Sequence, residues 1–231
     1  MSTSPRRPQQ RSIEYRAAII ARAADSFLEN GYGATSDASL YDGIASKGWF
    51  YTNFKGGKLG VAKAIMENAL STDGIQEHPL ATQMIYDVGI FFAHKIRVEK
   101  EYLAGLKLSF EPSAKDHGHP WKEWNAFNTQ QLTQAQDNQE IMRHISPSAE
   151  ARQISASWSG QVLMTLAVDG NLNDLHLHVN RTYRNLLGGM MYAKILAQLD
   201  LDPCRGERLY DEWVMGRDAD AETGRPERRI V

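Results

Sequence analysis

The sequence predicts an all-α protein in which a small N-terminal group of helices is followed by a larger helical body. Apolar residues recur at spacings of three and four along most of the chain, which is the period of an amphipathic helix. Glycine and proline interrupt this pattern at intervals, and no segment alternates long enough to predict a strand. With 231 residues the chain is long enough to bury a sizeable core.

The first quarter of the chain predicts four helices with recognisable ends. The first helix ends at Asn30-Gly31, because glycine commonly terminates helices. Thr35 or Ser36 caps the second helix, and Gly43 breaks the chain before the third. The four predicted segments cover about 13–30, 36–42, 47–54 and 58–70.

The remainder of the chain predicts seven further helices, which cover about 79–98, 100–111, 120–138, 148–168, 173–187, 190–200 and 204–215. The interruptions between them include Asp169-Gly170 and Gly188-Gly189. The predicted organisation is an arm at 1–8, a first domain at 9–70, a second domain at 75–216 and a tail at 217–231. The arm and the tail are rich in proline and charged residues, which predicts disorder.

Charge is distributed unevenly along the chain. Residues 1–66 contain nine Lys or Arg and five Asp or Glu, which is a net charge of +4, whereas the whole chain carries −2. The remainder therefore carries −6. A basic front and an acidic back favour a nucleic-acid-binding head on a body that has another task.

Several classes of protein are excluded by the composition. Cys204 is the only cysteine, which rules out an intrachain disulfide and a cysteine-based zinc site. No apolar run approaches the ~18 residues that a membrane span requires. The N-terminus is not followed by the hydrophobic block of a signal peptide. We therefore expect a cytoplasmic protein with no membrane contact.

Residues 46–55 are the most informative stretch. As a short helix they place Phe50 and Phe54 on one face, with the spacing of core anchors, and Trp49 on another face together with Thr52 and Asn53. Lysines near both ends can bind phosphate. A short helix with one apolar face, one hydrogen-bonding face and basic ends is suited to the major groove of DNA. The alternatives are an ordinary surface helix that carries a tryptophan, and a tryptophan that is a core residue.

The N-terminal segment resembles a known family. The stretch 27–35, the Ser46-Lys47-Gly48 turn, and Tyr51, Phe54 and Lys55 are similar to the helix-turn-helix domain of TetR-type repressors. The resemblance implies that the second and third helices read DNA, and that Lys47, Tyr51 and Lys55 contact phosphates. The predicted DNA-binding set is Thr35, Ser36, Ser46, Lys47, Gly48, Trp49, Tyr51, Thr52, Asn53 and Lys55, with Trp49 facing thymine methyl groups.

The body resembles the γ-butyrolactone receptor branch of that family. The similar segments are 103–111, 119–124 with its His-Pro-Trp-x-x-Trp pattern, and 155–160. The resemblance implies a homodimeric repressor that binds a palindromic operator in double-stranded DNA and is released by a small diffusible lactone. It also implies that helices within about 172–199 pair with their copies across a two-fold axis. The alternative within the fold is a repressor that responds to another ligand, such as an antibiotic, a butenolide or a furan.

The predicted effector site is built around one tryptophan and one serine. By resemblance Trp124 covers the ligand and Ser159 offers a hydroxyl to it. The other predicted lining residues are Trp121, Phe91, Leu106, Phe110, Trp158, Val162 and Met164. Spacing alone also allows the tryptophans to be core anchors and the small hydroxylated residues of 155–165 to serve close helix packing.

An enzyme or a metal protein is the remaining alternative, and only histidine pairs favour it. His117 and His119 lie in a predicted loop and are able to chelate one ion. His176 and His178 lie two apart in a helical pattern, where their side chains diverge. The sequence lacks the phosphate-binding, nucleophile-elbow and zinc-protease motifs. We therefore expect no catalytic activity, no metal and no cofactor.

Overall fold

The computed structural model describes residues 6–69, 75–111 and 121–223. Within these ranges the regular structure is helical and contains no strand, as the sequence predicts. The chain divides into two compact units. The head comprises the described residues of Met1–Ser71 and Glu99–Pro120, and the body those of Thr72–Val98 and Trp121–Val231.

The head contains the four predicted N-terminal helices and one more. They are α1 (Arg6–Ala34), α2 (Asp37–Tyr41), α3 (Lys47–Asn53), α4 (Lys58–Ala69) and, after α5 of the body, α6 (Lys100–Phe110). Gly31 has φ 79° and ψ 162°, so the helical path of α1 is interrupted where the sequence predicts its end. Gly43 has φ 77°, which confirms the predicted break before α3.

The head core explains why α6 packs with the N-terminal helices although the sequence places 100–111 in the second domain. Ala104 and Leu108 lie four apart on one face of α6 and are 0% and 1% exposed in this core. Burying them closes an apolar surface that α1 and α4 present. The core side chains are Ile19, Ile20, Ala23, Ala24, Phe27, Leu40, Phe50, Phe54, Val61, Ala62, Ala64, Ile65, Met66, Ala104 and Leu108.

The body is organised around one buried helix. Its helices are α5 (Ala81–Val98), α7 (Trp121–Asp137), α8 (Pro147–Met164), α9 (Leu175–Met190), α10 (Ala193–Leu196) and α11 (Arg205–Thr223). Fifteen of the eighteen residues of α5 are buried, so this helix is enclosed on all sides. Helices α7, α9 and α11 pack against it.

Two predicted boundaries of the body are wrong. Helix α9 continues through Gly188-Gly189 to Met190, and a helix over 190–200 is reduced to the single turn α10. The chain leaves α9 only where other bonds take over. Met142 N donates to Met190 O at 2.9 Å, and Tyr192 N donates to Glu140 O at 3.2 Å. Tertiary hydrogen bonds therefore set this helix end.

The ends of three other helices also differ from the prediction or refine it. α8 passes into a π-helical turn, Thr165–Asp169, which ends at Gly170 with φ 68°, so the predicted stop at Asp169-Gly170 is confirmed. α1 already begins within the predicted arm, and α11 extends into the predicted tail as far as Thr223. Pro8 is tolerated because it lies in the first turn of α1. The segments 1–5 and 224–231 lie outside the described residues.

Two buried carboxylates fasten the body. Glu140, 1% exposed, accepts hydrogen bonds from Ala81 N at 3.0 Å, Thr82 N at 2.9 Å and Thr82 Oγ1 at 2.7 Å, at the N-terminus of α5. Asp87, 2% exposed, accepts from Arg205 Nε at 2.5 Å and Nη2 at 2.7 Å. Each bond joins residues that are far apart in sequence and places a charge-assisted hydrogen bond in the interior.

Candidate functional site

Helix α3 has a buried face and an exposed face. Ser46 caps it by accepting a hydrogen bond from Trp49 N at 3.2 Å. Phe50 and Phe54 are 0% and 1% exposed and anchor the helix in the head core. The exposed residues of this segment are Lys47, Gly48, Tyr51, Thr52, Asn53 and Lys55.

The polar side chains of the exposed face use their donors on their own helix. Thr52 Oγ1 donates to Gly48 O at 2.8 Å, and Asn53 Nδ2 donates to Trp49 O at 2.9 Å. The hydroxyl oxygen of Thr52 and Oδ1 of Asn53 remain as acceptors, and Asn53 Nδ2 keeps a second proton to donate. Acceptors in this position suit the amino groups of adenine or cytosine in a major groove.

Asp37, the first residue of α2, joins three helices of the head. Its Oδ2 accepts from the Tyr51 hydroxyl of α3 at 2.6 Å, and its Oδ1 accepts from Lys58 N at the start of α4 at 2.7 Å. The hydrogen bond to Asp37 raises the pKa of Tyr51. Gly57, with φ +63°, allows this approach, because a Cβ there would lie 2.4 Å from Asp37 Oδ2.

Trp49 packs inside the head. Its ring meets the Tyr15 ring edge-on, with centroids 5.4 Å apart, and it lies 6.4 Å from the Phe54 ring. The side chain is half-buried and contacts the head core. Its large apolar surface therefore stabilises the contact between α1 and α3.

In the body, an aromatic cluster lies among α5, α7 and α8. The Trp124 ring centroid is 4.7 Å from that of Phe92 and 5.3 Å from that of Trp158. Trp158 is 3% exposed, and its Nε1 donates to Gly89 O at 2.9 Å. Trp124 is half-buried, so it forms the more accessible side of this cluster.

A polar seam runs beside the aromatic cluster between α7 and α8. Asn128 Nδ2 donates to Ser155 Oγ at 3.2 Å, and Ser159 Oγ donates to Ser155 O at 2.8 Å. Asn128 contacts Ser155 and Trp124 contacts Trp158, so α7 and α8 run antiparallel. Asn125 and Ser159, which adjoin the two tryptophans, therefore lie at the same level of the helix pair. Oδ1 of Asn125 is buried and has no hydrogen-bond partner. A buried acceptor without a partner is uncommon in proteins.

A separate cavity of about 220 Å³ opens elsewhere in the body, and most of its lining residues are charged or polar. Both of its arginines are already paired, Arg205 with Asp87 and Asp200, and Arg208 with Asp200 and Asp202. The lining residues are Gln76, Glu77, His78, Asp87, Arg205, Arg208, Leu209 and Glu212. This cavity contains none of the predicted effector residues.

Comparison with known proteins identifies the family. A crystal structure of native full-length TylP, a TetR regulator from Streptomyces fradiae, is similar with a TM-score of 0.77 and 25% sequence identity. The match covers 87% of this chain and 98% of TylP. The chain is a TetR-type regulator.

Other relatives of this regulator point to the same branch. The A-factor receptor protein of Streptomyces griseus is 29% identical over 192 residues, which is 83% of this chain and 69% of that protein. A crystal structure of a γ-butyrolactone receptor described as ArpA-like has a TM-score of 0.67, covering 87% of this chain and 99% of that chain. At 22% sequence identity, this match shows that the two proteins share a fold and nothing further. No protein-family model matches the chain. The similarities are to ligand-responsive repressors of the butyrolactone-receptor type.

Two of the predicted DNA-binding residues of this TetR-type regulator have their side chains turned inward. Thr35 is 4% exposed, and its Oγ1 donates to Gly31 O at 3.1 Å and lies 2.8 Å from Ser26 Oγ. Trp49 is held by Tyr15 and Phe54, as described above. Neither placement favours contact with bases. Ser36 caps α2 and is exposed, as is Ser46 at the start of α3.

The predicted effector residues do not form one group. Leu106 and Phe110 belong to the head, and Phe110 is 38% exposed. Met164 is 60% exposed, which does not suit a pocket wall. Phe91 is fully buried but packs against Trp213 and Tyr210.

The remaining predicted residues share the region of α7 and α8. Trp124, Trp158 and Ser159 come together there, while Trp121 is half-buried at the start of α7 and Val162 is fully buried. Ser159 uses its proton on Ser155 O, so its oxygen is left as an acceptor rather than as the predicted donor.

Sequence reasoning missed three residues that the structure brings forward. Asp37 lies in the first turn of α2, where an acidic residue in a sequence usually indicates only a favourable interaction with the helix dipole. Phe92 adjoins Phe91, and the helical period does not decide which of the two meets Trp124. Asn125 has no signal in the sequence beyond its place next to that tryptophan.

The histidine pairs gain no support as a metal site. Among the described residues, no group of three or more His, Cys, Asp and Glu side chains is placed to hold a metal ion. His117 and His119 lie outside the described residues. His176 and His178 are on α9, and His178 Nε2 lies 3.8 Å from Asp169 Oδ2. In the same described ranges, no helix is long and apolar enough to cross a membrane.

Proposed function

We propose that this regulator binds a palindromic operator in double-stranded DNA as a homodimer, in the cytoplasm, and that a small γ-butyrolactone-like effector releases it. One observation carries the DNA part. Helix α3 buries Phe50 and Phe54 and exposes Lys47 and Lys55 at its two ends. Such a helix fits a major groove, and two heads in successive grooves, roughly 34–36 Å apart, require a palindrome.

The roles within the proposed DNA interface follow from the chemistry of each side chain. Lys47 and Lys55 neutralise phosphates. The free acceptors of Thr52 and Asn53 face base amino groups. Ser36 and Ser46 at the helix starts, with Gly48 and Tyr51 on α3, complete the surface. Thr35 and Trp49 support this surface from inside.

A salt titration with Lys47→Ala tests the DNA interface. Lys47→Ala should weaken binding to a palindromic fragment from upstream of the gene and binding to random DNA by about the same factor. The slope of the logarithm of the binding constant against the logarithm of the salt concentration should flatten by about one unit. Lys107 is an exposed lysine of α6 outside the proposed interface, so Lys107→Ala is the matched control. An unchanged slope for Lys47→Ala would remove this residue from the interface.

The aromatic cluster and the polar seam support the effector site. Trp124 supplies a flat, half-buried face, and Phe92 and Trp158 continue it inward. Flat aromatic walls with few polar groups are typical of sites for small apolar ligands. The related A-factor receptor and γ-butyrolactone receptor suggest a lactone as the ligand.

The polar seam suggests which group of the ligand it recognises. Asn125 Oδ1 is an unused acceptor, and the Ser159 oxygen keeps its lone pairs after donating its proton. Two acceptors call for a donor, so we propose that the effector presents a hydroxyl at this end. A lactone whose hydroxyl is methylated should then release the operator less effectively than the hydroxyl form.

Replacing Trp124 tests the effector site. Trp124→Ala should leave operator binding intact and should make release insensitive to a synthetic hydroxyl-bearing γ-butyrolactone, as measured by fluorescence anisotropy. Trp213→Ala removes a tryptophan that packs on Phe91 instead, and it serves as the control for general damage to the body. A folded Trp124→Ala protein that is released normally contradicts the site.

Exposed apolar side chains near the end of α8 support the homodimer. The exposed fractions are 45% for Leu163, 60% for Met164, 71% for Val168 and 46% for Leu177 on α9. Contiguous exposed apolar surface commonly marks an association site. Val168→Glu should shift the sedimentation of the protein from dimer to monomer and should abolish tight binding to the palindrome but not to a half-site. A dimer that persists would place the interface elsewhere.

A second candidate is a TetR-type regulator that responds to a different ligand. The cavity lined by Arg205, Arg208 and Glu212 favours it, since these charged side chains suit a more polar molecule. An antibiotic, a butenolide and a furan belong in the same release assay. Release by one of these in Trp124→Ala protein would favour this candidate.

A further inference from the structure

The Asp37 carboxylate is the point at which α2, α3 and α4 are fastened together. It receives the Tyr51 hydroxyl from α3 and the Lys58 amide from α4, both at hydrogen-bond distances below 2.8 Å. Two donors from separate helices on one carboxylate hold those helices in a single relative position. The left-handed conformation of Gly57 is part of this arrangement, because only a residue without Cβ leaves room for Oδ2.

Helix α4 is tied to the same junction by a second residue. Lys58 Nζ donates to Tyr32 O and to Thr35 O, each at 2.7 Å, and lies 4.3 Å from the centre of the Tyr32 ring. The start of α4 is therefore anchored to the end of α1 as well as to Asp37. From the side chains of α3, the Tyr51 hydroxyl reaches this anchored frame by donating to Asp37.

This junction changes the role that can be given to Tyr51. A tyrosine hydroxyl has one proton, and a DNA phosphate and a carboxylate both require it as acceptors. In the free protein that proton is already donated to Asp37. A contact from Tyr51 to phosphate would therefore release the carboxylate, a negative charge that then faces the DNA backbone.

We propose that Asp37 is a positioning residue of the DNA-reading face, and that Tyr51 acts by holding α3 on Asp37 rather than by donating to a phosphate. The inference rests on the proposed binding of DNA through α3. Fixing α3 relative to α2 and α4 places Thr52 and Asn53 at a constant depth in the groove. Asp37 therefore contributes to discrimination between operator and random DNA, whereas the lysines contribute to affinity for any DNA.

A double-mutant cycle tests this role. Tyr51→Phe, Asp37→Ala and the double variant are compared with the wild type by their affinity for a palindrome selected from a random library and for random duplex. The ratio of the two affinities removes the general effect of losing a negative charge. Tyr51 is 42% exposed, so Tyr51→Phe should fold normally. Tyr192→Phe removes the hydroxyl of a similarly exposed tyrosine, 38% exposed, from the body and is the control.

The expected result is loss of discrimination without additivity. Each single variant should lower the operator-to-random ratio by about tenfold, and the double variant should lower it no further, because both changes break one interaction. The slope of log K against log salt should not change in Tyr51→Phe, since no phosphate contact is lost.

Additive losses in the double variant, or an equal loss for operator and random DNA in Tyr51→Phe, would overturn the proposal and return Tyr51 to the phosphate. Failure of the proposed function looks different, because the wild type and Tyr192→Phe would then both lack salt-sensitive binding to the palindrome. If Asp37→Ala unfolds at the assay temperature, the comparison is made with Gly57→Ala, which displaces the carboxylate and keeps its charge. A normal ratio in folded Gly57→Ala protein would also overturn the proposal.

Discussion

The hydrogen bonds cited for the head and those cited for the body join residues at different distances along the chain. In the head, the caps of α2 and α3 join residues three apart, and the Asp37 junction spans 14 and 21 residues. In the body, Glu140 reaches back 58 and 59 residues to the start of α5, and Asp87 is joined to Arg205 across 118 residues. The junction of α2, α3 and α4 is thus joined over short stretches of chain and the body over long ones, although α6 also brings distant residues into the head core.

The two units also treat their polar groups differently. The head presents lysines and hydrogen-bond acceptors on the exposed side of a short helix. The body encloses a glutamate, an aspartate and a seam of amides and hydroxyls, and one amide oxygen of the seam, on Asn125, has no partner. The exposed polar face of the head is therefore suited to contact with the surface of another macromolecule. The enclosed polar seam of the body is suited to a small molecule that hydrogen-bonds within it.

Removing the long-range cap of the body should have the largest effect. Glu140→Ala leaves the donors at Ala81 and Thr82 buried without an acceptor, and the loss of stability should be about 3 kcal/mol or more. Urea unfolding followed by circular dichroism measures it. Glu123→Ala, at an exposed position of α7, should change the stability by less than about 0.5 kcal/mol. Equal stabilities for the two variants would show that Glu140 is dispensable.

Trp49→Ala should produce the next largest effect, and it should act on the head. The half-buried indole loses its contacts with Tyr15 and Phe54, so the head should lose about 2 kcal/mol, less than for a fully buried tryptophan. Base preference, measured on a library of palindrome variants, should stay the same as in the wild type. A changed preference at thymine positions with unchanged stability would support the sequence-based prediction that this ring faces the bases.

Removing a local cap should have a smaller effect. Ser46→Ala deletes the acceptor for Trp49 N at the start of α3 and should cost about 1 kcal/mol in the stability of the head. Ser46→Asp keeps an acceptor and should restore the stability. The melting temperature of each variant is the measurement, and a melting temperature of Ser46→Asp below that of Ser46→Ala would contradict the capping role.

Mild acid should have the smallest effect, confined to the body. Burial lowers the pKa of His94 and of His176, and the nearby charge of Arg97 lowers both pKa values further. Nearby carboxylates oppose this shift: Glu207 acts on both histidines, Asp211 on His94 and Asp174 on His176.

The sign of this pH effect follows from the lowered values. As the pH falls through the ordinary histidine pKa near 6.5, these histidines bind protons in the unfolded chain but much less in the folded body. The free energy of unfolding should therefore fall as the pH drops from 7.5 to 5.5. His94→Gln should reduce this fall, as measured by the melting temperature at the two pH values. A melting temperature that rises on acidification would contradict it.

The sequence alone was sufficient for the fold class and for most of the head. Spacings of three and four predicted the helices, and a serine or a glycine marked the ends of α2 and α3, because caps act within one turn of the chain. Phe50 and Phe54 were predicted as core anchors by the same period. The exposed lysines followed from their positions at the helix ends.

Only the tertiary structure decided which of several equivalent faces is buried. The helical period places Trp49 on a face of α3 but does not indicate that Tyr15, on another helix, lies against that face. It does not show that α6 completes the head core, or that hydrogen bonds from Met142 N and Tyr192 N set the end of α9 beyond its two glycines. These features depend on contacts between residues distant in sequence, whose energy appears only after the chain has folded, and local spacing carries no trace of them.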